Sequence, residues 1–328
     1  MYEKVYNSPD IFKINIPLPK NPLKNLNCYV IKTQKHNLII DTGFNIPECR
    51  QALFAGLKEL NLDMSKTDLF LTHLHSDHIG LAGELFPKIS SIYMSRVDYD
   101  YYVNYIINET WDNVDNEFIA GGYPKEEIEK IHNCSDSDEY ETDGGFEVRP
   151  LDDGDFLNIG DIKLKCILTP GHTPGHMCLY IEDKKIMFSG DHVLFDITPN
   201  ITFWAHIDDP LGMYIESLKK IRKYDVKTVF TSHRKNEGSF YKRIDELLKH
   251  HKDRLDECLK IIKTHKKITA YDVASLMSWS INVKSWEEFP PMQKYFAVGE
   301  AIAHIERLGA LGKINKKNIN SVNFYTAI

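Results

Sequence analysis

The sequence predicts an α/β protein in which helices cover β-sheets, followed by a smaller helical domain. In residues 1–240, short apolar runs of strand length alternate with segments whose apolar residues recur at helical spacing, and this alternation favours sheet layers covered by helices. Beyond residue 240 the helical spacing continues, with no strand pair until the tail. We therefore predict two domains, at residues 1–240 and 241–328.

The strands of the first domain are predicted from apolar runs bounded by polar residues. Cys28–Ile31 and Asn37–Ile40 form a hairpin, and the second run ends at the turn Asp41-Thr42-Gly43. A helix follows, because Ala52, Leu53, Leu57 and Leu60 share one face. Further strands are predicted at residues 68–71, 92–94, 145–150, 162–168, 177–181, 185–189 and 228–230, with helices at 80–85 and 218–224.

A helical insertion is predicted at about residues 96–143, where tyrosines and other aromatic residues crowd an amphipathic stretch. Two interpretations stay open for it. The insertion either packs as a cover over the sheet, or forms a lid whose aromatic side chains enclose a substrate. The candidate substrate contacts are Tyr102 and Trp111 from the insertion, together with Trp204 and His206.

The C-terminal segment has the pattern of a small winged-helix module. Apolar residues recur at helical spacing from Ile244 to Ile262, Thr269 is placed to cap a short helix, and Tyr295–Leu308 forms a further helix. Two short strands separated by the polar turn at residues 315–318 complete it. We expect this segment to be a surface for a homodimer.

Composition narrows the class of protein. An apolar fraction of 42% and a charged fraction of 27% are ordinary for a globular protein. The net charge of −7 gives no general attraction to phosphate backbones, so nucleic acid is possible but not favoured. No apolar run approaches the ~20 residues that span a bilayer, and the N-terminus lacks the apolar core of a secretion signal. Six scattered cysteines favour reduced thiols, so we expect a cytoplasmic protein without membrane contact.

The most informative motif is His73-Leu74-His75-Ser76-Asp77-His78, directly after a predicted strand. His73 and His75 are separated by one residue of extended chain, so their side chains point the same way. They can bind one ion together with His172, which supplies a third nitrogen. The residues of the following turn can face a second ion, and the two oxygens of one carboxylate can bridge both ions. The candidate ligands are His73, His75, Asp77, His78, His172, Asp191 and His233.

Nitrogen and carboxylate ligands suit two divalent metal ions, zinc first, with iron or manganese also compatible. Such ions lower the pKa of bound water from about 15.7 to about 7, which supplies a metal-bridging hydroxide at neutral pH. Asp77 is the candidate catalytic residue, because it can orient that hydroxide and carry its proton. Asp41 lies at the end of a buried strand, and we expect it to accept a hydrogen bond from the outer ring nitrogen of a metal-bound histidine.

On these residues the chain resembles the metallo-β-lactamase superfamily. The matching motifs are Asp41, Thr72 to His78, Gly171-His172, Asp191 and Thr231-Ser232-His233. The resemblance covers about residues 10–240 and implies an αββα sandwich with a dinuclear site at one edge. By position it assigns His73, His75 and His172 to one metal, and Asp77, His78 and His233 to the other, with Asp191 bridging.

Three functions follow from these residues. The first is a metal-dependent hydrolase of a small ester, thioester or lactone, because Gly171 to His176 is similar to glyoxalase II and its thioesterase and lactonase relatives. The second is a single-strand endoribonuclease, because the tail is similar to that of β-lactamase-like endoribonucleases. The third is a metal-bearing binding module without catalysis.

Overall fold

The protein is described here by a computed structural model, which covers residues 2–107, 112–134, 145–281 and 283–328. The chain forms two compact units. Unit 1 comprises Met1–Val103, Asp136–Pro199 and Ser217–Ile244, and unit 2 comprises Asn104–Ser135, Asn200–Glu216 and Asp245–Ile328. The division near residue 244 lies close to the predicted boundary, but most of the insertion groups with the C-terminal segment rather than with the first domain.

Unit 1 contains two sheets. In the first, β1 to β4 are antiparallel neighbours and β4 to β7 are parallel neighbours. The second has the order β12-β11-β10-β9-β8. The strands are β1 (Tyr2–Asn7), β2 (Asp10–Pro17), β3 (Asn25–Lys32), β4 (Asn37–Ile40), β5 (Thr67–Phe70), β6 (Ser91–Ser95), β7 (Val148–Leu151), β8 (Phe156–Ile159), β9 (Ile162–Leu168), β10 (Met177–Ile181), β11 (Ile186–Gly190) and β12 (Thr228–Thr231).

The two sheets pack face to face around aromatic and aliphatic side chains. Tyr29 of β3 lies with its ring centroid 5.6 Å from Phe188 of β11 and 5.1 Å from Phe230 of β12. On the outer face of the first sheet, helix α1 (Pro47–Glu59) approaches β2 so closely that a Cβ at Gly56 would lie 2.7 Å from Ile14. Helices outside and sheets inside make the αββα sandwich that the sequence predicts.

Helices lie on both sides of β6 in the chain. Between β5 and β6 are α2 (Ser76–Ile79) and α3 (Ala82–Leu85), and between β6 and β7 are α4 (Arg96–Tyr101), a π-helical turn (Tyr102–Ile107), α5 (Asp112–Ala120) and α6 (Lys125–Cys134). The predicted helical insertion is therefore confirmed over residues 96–107 and 112–134. The rest of it, at 108–111 and 135–143, lies outside the described residues.

Helices and a two-stranded ribbon form the C-terminal part of the chain, as predicted. After α7 (Pro210–Ile221) come α8 (Phe240–Thr264), α9 (Ala270–Leu276) and α10 (Pro291–Ala310), followed by the antiparallel pair β13 (Ile314–Ile319) and β14 (Val322–Ala327). Thr269 caps α9 as expected: its hydroxyl accepts from the Asp272 amide, and the Asp272 carboxylate accepts from the Thr269 amide. None of the described helices is long and apolar enough to cross a membrane.

Aromatic residues of the insertion belong to the core of unit 2. Phe118 is 1% exposed, and its ring stacks on Tyr295 of α10 with a centroid distance of 3.9 Å. Tyr123 is also buried, and its ring makes T-shaped, edge-to-face contacts with Phe118 and Tyr271. Helices α5 and α6 of the insertion thus pack against the C-terminal helices, because their apolar residues are buried there, whereas α4 belongs to unit 1.

Strands β1, β2 and β8 were not predicted. β1 is a sheet edge whose residues are mostly exposed and include Glu3 and Lys4, so its composition carries no apolar signal. β2 buries Ile11, Ile14 and Ile16 at uneven spacings of three and two residues, so its sequence shows no regular strand period. The cysteines Cys28, Cys49, Cys166, Cys178 and Cys258 are buried free thiols.

Candidate metal centre

All seven candidate ligands lie in unit 1, at the exits of strands. The loop after β5 carries His73 and His75, and the short helix α2 that follows carries Asp77 and His78. Three further loops, after β9, β11 and β12, carry His172, Asp191 and His233 respectively. Because the strands fix where each loop begins, residues far apart in sequence can converge at one sheet edge.

The ligand atoms of these side chains meet in overlapping groups. Within each of three trios, one nitrogen or oxygen per residue lies within 4.8 Å of the others. Asp191 joins the groups, because its Oδ1 lies 3.7 Å from His78 Nε2 while its Oδ2 lies 3.6 Å from His172 Nε2 and 3.3 Å from His233 Nε2. The trios are His73, His75 and His172; His73, His78 and Asp191; and Asp77, His78 and His233.

The donor set fits divalent cations. Among the described residues, Asp77 Oδ2, His78 Nε2, Asp191 Oδ1 and His233 Nε2 are buried atoms without a hydrogen-bond partner. A buried polar atom left without a partner costs about 1–3 kcal/mol, and here four such atoms face one another. Two ions coordinated by these oxygens and nitrogens would satisfy them, and the mixed His/Asp chemistry is that of zinc, iron or manganese sites.

Hydrogen bonds on the outer ring nitrogens point three imidazoles inward. His78 Nδ1 donates to Asp41 Oδ2 at 2.8 Å, and His233 Nδ1 donates to the Asn25 carbonyl at 2.8 Å. The Thr72 hydroxyl donates to Asp41 at 2.9 Å, so its oxygen accepts from His73 Nδ1 at 3.0 Å. With Nδ1 protonated, each Nε2 presents a lone pair to the centre.

Asp41 is placed as the sequence suggested, beside a candidate ligand. Besides His78, its carboxylate accepts from the Thr72 amide at 2.8 Å and from the Ser232 hydroxyl at 3.3 Å. Its backbone is left-handed, with φ 61°, which turns the chain at the end of β4. One buried carboxylate thus binds both the loop after β5 and the loop that carries His233.

Two buried residues outside the candidate ligand set hold the ligand loops, and of these the sequence suggests only His176, as a residue that packs behind the metals. His176 Nε2 accepts from the Asp191 amide at 3.1 Å, while its Nδ1 pairs with the Thr169 hydroxyl at 2.8 Å. Asp98, at the start of α4, accepts from both the loop of His73 and the loop of His172. The available signal for Asp98 was its position just after β6, a parallel neighbour of β5 that ends at the same sheet edge.

The electrostatics of the centre favour a bound cation. Burial raises the pKa of Asp77, but the neighbouring His78 and His233 outweigh it and bring that pKa to about 2. Asp191 behaves likewise: burial opposes ionisation, and His233 and His78 hold its pKa below the usual range. Burial and the nearby His172 lower the pKa of His75 to about 3, so this imidazole is neutral at pH 7.

The candidate substrate contacts are divided between the two units. Tyr102 belongs to unit 1, is 7% exposed, and stacks on Phe146 with a centroid distance of 6.2 Å. Trp204 and His206 belong to unit 2, where the His206 ring stacks on Tyr105 at 4.8 Å. Trp111 lies outside the described residues. Substrate contact by these side chains stays a prediction.

The fold and this motif set define the class of protein. Residues 22–233 match the sequence profile described as Metallo-beta-lactamase superfamily. The match spans most of the chain and includes all seven candidate ligands. The chain belongs to the metallo-β-lactamase superfamily.

Particular relatives are similar along most of the chain. An atrochrysone carboxyl ACP thioesterase from Emericella nidulans is 27% identical over 69% of this chain and 56% of the relative. A beta-lactamase-like protein 2 homolog from Caenorhabditis elegans is 27% identical over 77% of this chain and 70% of the relative. The chain therefore spans little more than half the length of the fungal thioesterase.

Two solved structures share the fold over nearly the whole chain. A beta-lactamase domain protein from Burkholderia ambifaria has a TM-score of 0.84 at 24% identity, covering 100% of this chain and 94% of that one. A metallo-beta-lactamase family protein from Thermus thermophilus has a TM-score of 0.79 at 24% identity, covering 97% of this chain and 98% of that one. At this identity the likeness establishes the fold alone.

Proposed function

We propose that the chain is a metal-dependent hydrolase that acts on a small ester, thioester or lactone. The observation that carries the proposal is the convergence of nitrogen and oxygen ligand atoms from four separate chain segments, with buried atoms among them that have no hydrogen-bond partner. Divalent ions at such a site lower the pKa of bound water to about 7 and polarise a substrate carbonyl. We propose two ions, zinc first, held by His73, His75 and His172 and by Asp77, His78 and His233, with Asp191 between them.

The chain's own residues have separate tasks in this proposal. Asp77 stays ionised, with a pKa of about 2, so it can accept a hydrogen bond from an attacking water and orient it. His78 and His233 are held by Asp41 and by the Asn25 carbonyl, which keeps their Nε2 lone pairs directed inward. Fixed donors and acceptors of this kind lower the reorganisation needed during reaction.

The substrate class rests on relatives and on the charge of the chain. The fungal relative is named an atrochrysone carboxyl ACP thioesterase, and this name supports a thioester substrate for this chain. A net charge of −7 gives no general attraction to a polyanion. Small acyl thioesters, simple esters and lactones share an acyl carbon open to attack by water, so one substrate panel covers the proposal.

The test pairs metal content with turnover. Asp191→Ala and His75→Ala should each lose bound metal, measured by elemental analysis, together with thioester hydrolysis. Asp68→Asn is the matched control, because Asp68 is a buried acid of β5 that pairs with His36 instead of the centre. Full turnover by metal-free protein, or by Asp191→Ala, would refute the proposal.

An endoribonuclease is the second candidate, and one observation favours it. In β13 the residues Asn315 to Asn318 are exposed and include Lys316 and Lys317, while Lys267 lies over the Phe324 ring of β14 at 3.6 Å. Lysines on an exposed ribbon suit contacts with phosphates. If RNA is the substrate, the double variant Lys316→Ser, Lys317→Ser should cleave RNA more slowly than wild type, and its RNA cleavage should depend less on salt. Its hydrolysis of small esters should be unchanged.

A further inference from the structure

One buried carboxylate joins the two loops that carry the first cluster, defined as His73, His75 and His172. Asp98 is 0% exposed, and its Oδ2 accepts from the Leu74 amide at 3.0 Å and from the Thr173 hydroxyl at 2.7 Å. Its Oδ1 accepts from the Gly175 amide. Leu74 lies between the two histidines of one loop, and Thr173 follows the histidine of the other.

The hydrogen-bond chemistry shows why an acid occupies this place. Burying a carboxylate is costly unless hydrogen bonds compensate it, and an ionised carboxylate can only accept. All three of its side-chain hydrogen bonds come from the two ligand loops. The acid itself is fixed by α4, because the Ser95 hydroxyl accepts from the Asp98 amide at 3.1 Å and caps the helix.

Gly175 gives independent evidence that the His172 loop packs closely against the start of α4. A Cβ at Gly175 would lie 2.3 Å from the Asp98 nitrogen and 2.5 Å from the Ser95 hydroxyl. No side chain fits at those distances, so only glycine lets the loop approach the helix start. In the run Thr173-Pro174-Gly175, the threonine hydroxyl and the glycine amide therefore donate to the Asp98 carboxylate, and the glycine permits the close approach to α4.

We propose that Asp98 is a positioning residue that sets the separation of the His73–His75 loop from the His172 loop, and thereby the affinity of the first cluster for a divalent cation. The inference rests on the proposed function in that it assumes a cation at this cluster. Asp98 acts through Leu74 and Thr173, and its carboxylate is not one of the converging ligand atoms.

The test measures metal affinity without substrate. Metal-free protein is titrated with Co²⁺ alone, followed by visible absorption and by competition with a chelator. Asp98→Asn keeps the size of the side chain but replaces one acceptor by an amide that opposes a backbone N–H. It should weaken binding of one ion about 10-fold, the lower end of what outer partners of metal ligands contribute.

Two backgrounds identify which ion is affected. In His233→Ala, where the first cluster stays intact, Asp98→Asn should still cost about 10-fold. In His172→Ala, where the first cluster is broken, it should change the remaining affinity less than twofold. An equal loss in both backgrounds, or no loss in the first, would overturn the proposal.

Thr173 and Asp68 supply the conservative and control variants. Thr173→Ser keeps the hydroxyl and should bind Co²⁺ as wild type does, whereas Thr173→Val should show part of the loss, and it tests the inference even if Asp98→Asn does not fold. Asp68→Asn should leave both affinities unchanged, and an equal loss there would mean general destabilisation and overturn the assignment. Wild-type protein that binds Co²⁺ but hydrolyses no ester, thioester or lactone of the panel would refute the proposed function and leave this test intact.

Discussion

Replacing Asp41 by asparagine should change the tautomer of His78, a candidate metal ligand. The Asp41 carboxylate accepts from His78 Nδ1, from the Thr72 amide and hydroxyl, and from the Ser232 hydroxyl. Asparagine has a single acceptor oxygen, so its NH₂ group must replace one of the two carboxylate oxygens. Facing His78, the amide donates to Nδ1 and moves the ring proton to Nε2, where it blocks coordination. If the NH₂ group instead faces the Thr72 amide, two N–H donors point at each other and that hydrogen bond is lost.

The magnitude follows from the loss of this outer partner. Removing such a hydrogen bond typically weakens metal binding about 10–100-fold, which corresponds to roughly 1.4–2.7 kcal/mol of binding free energy. We expect the larger effect on the ion proposed to be held by Asp77, His78 and His233, because His78 belongs to that trio and donates directly to Asp41. The effect on the trio of His73, His75 and His172 should be smaller, because Asp41 reaches it only through the Thr72 hydroxyl and His73 Nδ1.

The assay is stepwise Co²⁺ affinity in competition with a chelator, with thermal unfolding of the metal-free proteins measured in parallel. Asp68→Asn controls for the loss of a buried acid from unit 1. Asp41→Asn protein that binds two ions as tightly as wild type would refute the tautomer argument. A large fall in metal-free stability with unchanged affinity would also refute it, since Asp41 would then only support the fold.

Three further predictions concern unit 2. Phe118→Ala should destabilise it by about 3–5 kcal/mol in denaturant unfolding, because a 1% exposed ring is lost from a packed cluster; a cost below ~1 kcal/mol would contradict that packing. Burial lowers the pKa of His304 to about 3 and the pKa of His251 well below 6.5. Below pH 6.5 the unfolded state therefore binds more protons than the folded state. The free energy of unfolding should fall by up to about 1.4 kcal/mol per pH unit for each histidine as the pH drops below 6.5. His304→Phe should reduce that slope between pH 6.5 and 5, and an unchanged slope would refute it. Thr269→Ala removes the capping box with Asp272 and should cost about 1 kcal/mol, with an undetectable change as the contrary result.

Local spacing accounts for what the sequence predicted well. Short apolar runs bounded by polar residues predict β3, β4, β5 and β9 to β11, because the length and the ends of such a run depend only on adjacent residues. The His73 to His78 run is likewise local, and its extended and turned parts point side chains toward one edge. Convergence with His172, Asp191 and His233 was inferred from the chemistry of the residue types, and the structure brings their ligand atoms within 4.8 Å in overlapping groups.

The tertiary structure decided which partners these residues have. The Nδ1 proton of His233 is fixed by the backbone carbonyl of Asn25, and every residue has a carbonyl, so no side-chain pattern marks that one. Asp98 looks like any acid in a first helical turn until two distant loops donate to it. Likewise, the amphipathic pattern of the insertion predicts an apolar face but not the element that covers it. Only the tertiary structure shows that Phe118 packs against α10. The sequence by itself determined the ligand types and the local elements that carry them, because both depend on neighbouring residues. The hydrogen bonds that orient those ligands, and the unit that receives the insertion, depend on contacts between residues far apart in the chain, and those exist only in the folded molecule.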